Sequence, residues 1–119
     1  MKRRFLLVVV LLAAGAVAAI LAAGSVAADT KPKPVVVPIT VVKGKVQGGT
    51  RRPSVKKGAL VRFVVRTDAG DEIHLHGYEI EKTPVRGKAT VIEFRARIQG
   101  RFELELHHPD ILLAELTVR

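Results

Sequence analysis

All four histidines of this 119-residue chain lie in two short stretches. His74 and His76 are separated by a single leucine, and His107 and His108 are adjacent further along the chain. Imidazole is the commonest protein ligand for first-row metals near neutral pH. This concentration of histidine indicates a metal site, with a metal ion as the expected partner.

The spacing of His74 and His76 suits two ligands on one face of a β-strand. Residues two apart on a strand point to the same side, with backbones about 6.6 Å apart, so both rings can approach one ion. Apolar residues occur both at positions that share a face with the two histidines and at the positions between them. This leaves open whether the imidazoles point inward or outward. A β-bulge at Gly77 would resolve this conflict.

His107 and His108 are candidates for the third ligand. They follow an alternating segment and precede Pro109, where a strand gives way to a loop whose side chains can aim across the end of a sandwich. Strict alternation instead places His107 with Glu103 and Glu105 on a polar face, where paired carboxylates are usually solvated partners of arginines. The alternative for all four histidines is a role without metal, facing solvent or hydrogen-bonded in the core.

The chain has no cysteine, and its only methionine is Met1. Thiolate nucleophiles, zinc-thiolate clusters, iron-sulfur centres and thiolate-ligated blue copper are therefore excluded. Ser25 and Ser54 are the only serines, and neither has a histidine or acid nearby in sequence. We therefore expect a protein that is not an enzyme.

Residues 1–28 have the pattern of an export signal, which predicts an N-terminal hydrophobic export helix before the β domain. A basic head is followed by an apolar run over residues 5–23 and by small residues before Asp29. Val26 and Ala28 occupy the positions that signal peptidase reads, which predicts cleavage before Asp29. The apolar run is also close to the about 17–20 residues that span a bilayer, so an uncleaved signal anchor is the alternative. In both cases we expect an extracytoplasmic domain that is secreted, periplasmic or at the cell surface.

Removal of the export segment lowers the net charge. The chain carries 20 Lys and Arg against 11 Asp and Glu, and three of the basic residues lie in the head, which leaves a balance of +6. For an exported domain this favours an anionic cell-surface component or a partner protein over nucleic acid. Membrane contact is expected only through an uncleaved N-terminal segment. The alternative is that the basic residues simply solvate strand faces.

Residues 29–34 predict an extended linker, and residues 35–119 predict a single β domain. The linker has two prolines and no aliphatic residue. Short alternating segments separated by turn residues then indicate an all-β antiparallel sandwich with a core of Val, Leu and Ile. Pro38 makes the first segment an edge strand or two pieces. The expected strands cover residues 35–46, 60–67, 73–80, 90–97, 102–106 and 112–118, with Leu112, Ala114, Leu116 and Val118 on one face.

Four strings of residues resemble the cupredoxin family over about the last two-thirds of this domain. They are Val-Lys-Lys-Gly-x-x-Val-Arg-Phe from Val55, His-x-His-Gly-Tyr from His74, Gly100-x-Phe102, and Leu-Leu-Ala-Glu-Leu-Thr-Val from Leu112. The resemblance implies a Greek-key β-sandwich with His76 at the mid-strand copper-ligand position and His107 at the loop histidine. Leu112 stands where the family has methionine, and the family's cysteine has no counterpart.

The resemblance implies a degenerate copper site. Copper, as Cu(II) or Cu(I), would be held by His76, His107 and either His74 or His108. Without a thiolate, copper handling is expected rather than blue-copper electron transfer. The His-x-His-Gly string also resembles multicopper oxidases, but their trinuclear centre draws on eight histidines. This chain has four, so an oxidase is excluded unless several chains contribute. The alternative function is a metal-free β-sandwich interaction module at the cell surface.

Overall fold

The structure, a computed structural model, describes residues 23–25, 27–28 and 30–119. Residues 1–22, which hold the basic head and nearly all of the apolar run, lie outside the described residues, as do Val26 and Asp29. The expected N-terminal export helix therefore lies outside them as well. Within the described ranges, no helix has the length and hydrophobicity of a membrane span.

The described residues form two β-sheets. One has four strands in the order β2-β1-β4-β7, and the other has five in the order β3-β9-β8-β5-β6. The strands are β1 (Val35–Val42), β2 (Lys45–Val46), β3 (Ser54–Val55), β4 (Leu60–Thr67), β5 (Glu72–Leu75), β6 (Ile80–Lys82), β7 (Thr90–Arg95), β8 (Gly100–His107) and β9 (Ile111–Val118).

The core of the sandwich follows from apolar alternation on the long strands. On β4, Val61, Phe63 and Val65 are fully buried, and Phe63 stacks on Phe94 of β7 with ring centroids 6.1 Å apart. The five-stranded sheet adds further leucines and isoleucines to the same cluster. Because side chains alternate between the two faces of a strand, the intervening polar residues point to solvent. The predicted all-β sandwich with a core of mainly Val, Leu and Ile is confirmed.

Both sheets are mixed, whereas the sequence predicted antiparallel pairing. β1 runs parallel to β4, and β3 runs parallel to β9, while the other strand pairs are antiparallel. Side chains alternate between the two faces of a strand in both kinds of pairing, so the half-buried pattern of β4, which pairs both ways, could not distinguish them. Pro38 is tolerated because β2 pairs only with Val41 and Val42, so in the described part of the chain no strand pairs with this edge of β1 at Pro38, where the Pro38 carbonyl accepts from Arg51 Nε at 3.2 Å.

The predicted histidine strand over residues 73–80 is a hairpin. β5 ends at Leu75, the chain turns, and β6 pairs back antiparallel with Ile73 opposite Lys82. Gly77 and Glu79 have φ values of 83° and 52°, the left-handed region that a strand does not use. Gly77 therefore terminates the strand rather than forming the bulge expected within it.

A β-bulge lies in β9. Leu104 pairs with Ala114 and Glu105 pairs with Leu112, so Leu113 has no partner on β8. The extra residue reverses the alternation, which buries Leu113 and leaves Leu112 half-buried. The prediction that Leu112 shares the inward face of Ala114 was therefore wrong.

Gly70 offers a test of how the turn before β5 packs on β8. A Cβ at Gly70 would collide with the Leu106 side chain, and its φ of 84° disfavours alanine. Gly44 has a similar φ of 74° but open space around it. We expect Gly44→Ala to cost about 1–2 kcal/mol from backbone strain alone. Gly70→Ala should cost about 1–3 kcal/mol more through overpacking.

Urea unfolding of the full chain in mild detergent, followed by circular dichroism, measures both costs. Equal losses for the two variants would show that Leu106 does not restrict the turn.

Candidate metal centre

The pairing of β5 with β8 places histidines on the outer face of the five-stranded sheet. Ile73 and Leu75 are fully buried, so His74 between them points outward. On β8, Leu106 is likewise buried, so His107 also lies on the outer face. The pattern of the sequence left this orientation open, and the buried neighbours decide it.

His76 follows β5 and stays on the same side of the sheet. Its backbone N–H donates to the carbonyl of Glu103 at 2.9 Å, which extends the β5–β8 ladder by one residue before the Gly77 turn. The ring centroids of His74 and His76 are 4.0 Å apart. The two imidazoles are therefore neighbours.

His107 completes a group of three imidazoles. One ring nitrogen from each of His74, His76 and His107 lies within 4.8 Å of the others. A tetrahedral ion with nitrogens at about 2.0 Å would hold them about 3.3 Å apart, so small side-chain rotations would close the shell. The group lies on a sheet face, not across the end of the sandwich, because His107 is the last residue of β8 and not part of the loop.

His108 lies apart from this group. Its φ of 54° turns the chain, its side chain is 80% exposed, and its Nδ1 lies 2.9 Å from Asp71 Oδ1. The contact with Asp71 raises the pKa of His108 above its ordinary value of 6.5. Of the four histidines predicted as site residues, the structure thus brings three together and leaves one outside.

Carboxylates surround the three imidazoles. Glu105 Oε2 lies 3.1 Å from His76 Nε2 and 3.9 Å from His107 Nε2. His74 Nε2 lies 3.3 Å from Glu79 Oε2 and 3.9 Å from Glu81 Oε1. Glu105 was expected to pair with arginines, yet it sits between two imidazoles. The spacing of two residues between Glu105 and His107 on one strand already placed them on the same face. Their approach to His76 follows only from the β5–β8 register.

Asp110 contacts the His107 imidazole and favours its protonated form. Its Oδ1 lies 3.0 Å from His107 Nδ1, while His107 Nε2 is the nitrogen near Glu105. The hydrogen bond to Asp110 raises the pKa of His107 above its ordinary value of 6.5 and lowers that of Asp110. Protons therefore compete with a metal for this ring.

The donor set suits borderline metal ions. Three imidazoles with an adjacent carboxylate are ligands that copper(II), zinc and nickel accept, whereas soft ions are selected by sulfur. The surrounding carboxylates would balance the charge of a divalent cation. The residues present therefore fit copper(II), and they can hold a metal ion without any sulfur ligand.

No protein-family model and no curated protein matches the chain. Solved structures do match. The solution structure of an apo copper-binding protein aligns with TM-score 0.57 and 16% identity, over 71% of this chain and 86% of the other. The metal-binding domain of the Cu(I)-exporting P-type ATPase CopA of Streptococcus pneumoniae D39, with Cu(I), aligns with TM-score 0.55 and 17% identity, over 71% and 84%.

The fold is cupredoxin-like. A multicopper oxidase also aligns, with TM-score 0.53 and 17% identity, over 71% of this chain but 43% of the oxidase. Within the cupredoxin-like fold, His107 differs from the expectation that it is a loop histidine, since it ends β8. Leu112, expected at the methionine position, lies on β9 opposite Glu105 of β8 in the antiparallel register.

Asp110→Asn tests the electrostatics of the metal-free site. Loss of the carboxylate should lower the pKa of His107 toward 6.5, because the strongest contact that favours the imidazolium is removed. In the parent, the raised pKa of His107 gives a stabilisation that is fully present below the pKa of unfolded His107 and is lost as the pH rises through its folded pKa. The lowered pKa of Asp110 gives a stabilisation that is present above the pKa of unfolded Asp110 and is lost as the pH falls through its folded pKa.

Two-dimensional NMR of the imidazole resonances against pH measures this pKa. Asp71→Asn is the matched control and should lower the pKa of His108 only. A titration of His107 that is unchanged by Asp110→Asn would contradict the assigned hydrogen bond.

Proposed function

We propose that the chain is an exported cupredoxin-like domain that binds copper(II) through His74, His76 and His107 for copper handling. The observation that carries the proposal is the approach of three imidazole nitrogens to within 4.8 Å of one another. Alignment with a copper-binding protein and with a copper exporter's metal-binding domain supports copper as the metal.

The donor types favour copper(II) over the other candidates. Affinity of a nitrogen and oxygen site for divalent first-row ions peaks at copper. Copper(I), by contrast, is selected by thiolate and thioether ligands, and the chain has no cysteine and only Met1. Without a thiolate, the site lacks the bond that tunes a blue-copper centre for electron transfer.

Access to two of the three imidazoles supports uptake and release of the ion, while the His74 side chain is 14% exposed. The His76 side chain is 43% exposed and that of His107 is 23% exposed, so an ion can be exchanged at the sheet surface. Glu105, Glu79 and Glu81 lower the local potential and attract a cation even though the domain is basic. We propose binding rather than catalysis, because these carboxylates are already paired with the imidazoles.

The cellular location belongs to the same proposal. The pattern of residues 1–28 supports export, with residues 29–34 as a linker to the domain that starts at residue 35. On expression in a secretion-competent bacterium, N-terminal sequencing should find Asp29 as the first residue of the exported protein. Full-length protein in the membrane fraction would instead support the signal anchor. Full-length protein in the soluble cytoplasm would contradict export.

Copper titration of the full chain in non-ionic detergent tests the site. We expect one copper(II) per chain, with nitrogen couplings in the electron paramagnetic resonance spectrum and no intense visible charge-transfer band. His74→Ala, His76→Ala and His107→Ala should each weaken binding by at least about 10–100-fold, since loss of a ligand costs no less than loss of its hydrogen-bond partner.

His108→Ala is the matched control and should bind copper like the parent, because His108 lies outside the group. A parent that takes up no stoichiometric copper(II) would leave a metal-free interaction module as the function. An equal loss for His108→Ala would show that the three imidazoles are not the ligand set.

A further inference from the structure

A second candidate site lies on the four-stranded sheet, away from the histidines. A cavity of about 320 Å³ opens where β1 and β4 end. Thr40 and Arg66 are partners in the parallel register of these strands, and buried Val41 forms part of the floor. The volume falls at the small end of the range for ligand pockets, about 300–1,000 Å³. It therefore has room for a small polar ligand.

The loop before β7 adds two cations to this cavity. Lys88 N donates to Val85 O at 3.1 Å, which closes a β-turn with Arg86 and Gly87 at its centre. Gly87 has a φ of 76°, as the third residue of a type II turn requires. The turn thereby adds Arg86 and Lys88 to the wall of the cavity that Arg66 also lines.

The cations in the wall of the cavity outnumber its carboxylates by three to one. Among the residues that the structure describes, Arg66, Arg86 and Lys88 form no ion pair. Asp68 is the one acid in the wall, and its Oδ2 accepts the backbone N–H of Lys43 at 3.2 Å. The arrangement is the opposite of the histidine site, where every imidazole lies beside a carboxylate.

We propose that this cavity binds a phosphate group. Two guanidinium groups and an ammonium group in the wall of one cavity complement the charge of phosphate, and arginine can bind phosphate oxygens in a bidentate manner. Phosphate reaches an extracytoplasmic domain either as the free ion or in a phospholipid headgroup. Val85, 54% exposed at the same turn, would contact the apolar boundary of a lipid surface.

Phosphate binding is tested with the full chain in non-ionic detergent, with the Gly87 amide resonance as the readout. The probes are inorganic phosphate, short-chain phosphatidylglycerol and short-chain phosphatidylcholine. We expect saturable shifts with inorganic phosphate or phosphatidylglycerol. The double variant Arg66→Gln/Arg86→Gln should bind at least 10-fold more weakly.

The double variant Arg62→Gln/Arg95→Gln is the matched control. It removes the same charge from the same sheet but outside the cavity, so it should bind like the parent. Thermal unfolding checks that both double variants fold. If Arg66→Gln/Arg86→Gln does not fold, Lys88→Gln replaces it, with a loss of at least 3-fold expected.

The probes also separate the two sources of phosphate. If phosphatidylglycerol binds and inorganic phosphate does not, the site is assigned to a lipid headgroup. If inorganic phosphate binds and phosphatidylglycerol does not, the site is assigned to the free ion. If none of the probes shifts the Gly87 amide resonance, or if both double variants weaken binding equally, the proposal is overturned. Copper binding should be unchanged in Arg66→Gln/Arg86→Gln, so failure here is distinguishable from failure of the proposed function.

Discussion

The antiparallel register of β5 and β8 is the constraint on which the histidine site depends. It pairs Ile73 with Leu106 and His74 with Glu105. The buried side chains of Ile73 and Leu106 hold this register, because a slip by one residue would move every side chain of the strand to the other face. Burial of the inner face therefore determines which imidazoles meet on the outer face.

The Gly77 turn is the second requirement. If β5 continued as a strand, the chain would run on along the sheet. The left-handed conformation at Gly77 instead ends the β5–β8 hydrogen-bond ladder directly after His76, and the Gly77 N–H donates to Glu79 Oε1 at 3.0 Å. The same turn therefore positions His76 and directs Glu79 toward His74. One glycine and its hydrogen bond to the Glu79 carboxylate link the hairpin to the site.

Sequence alternation predicted the strands, the sandwich and the shared face of His74 and His76, because these depend on local periodicity and burial. It did not predict the parallel pairs, the hairpin or the bulge at Leu113, which depend on long-range pairing and left-handed backbone. For the same reason Glu105 was assigned to arginines, since its approach to His76 exists only through the register. His108 was a candidate because adjacency to His107 in sequence does not reveal the turn that separates them.

Charge is distributed unevenly between the two sheets. The net charge of the domain is positive, yet the outer face of the five-stranded sheet surrounds its imidazoles with carboxylates, while the cavity on the four-stranded sheet is cationic. Net charge therefore describes neither site. A cation and an anion can each find a complementary surface on the same small domain.

X-ray absorption of the copper(II)-loaded full chain tests the central claim most directly. Convergence of His74, His76 and His107 on one ion requires three imidazole nitrogens about 2.0 Å from copper and no sulfur neighbour. A spectrum with one imidazole or none in the copper shell would contradict the account.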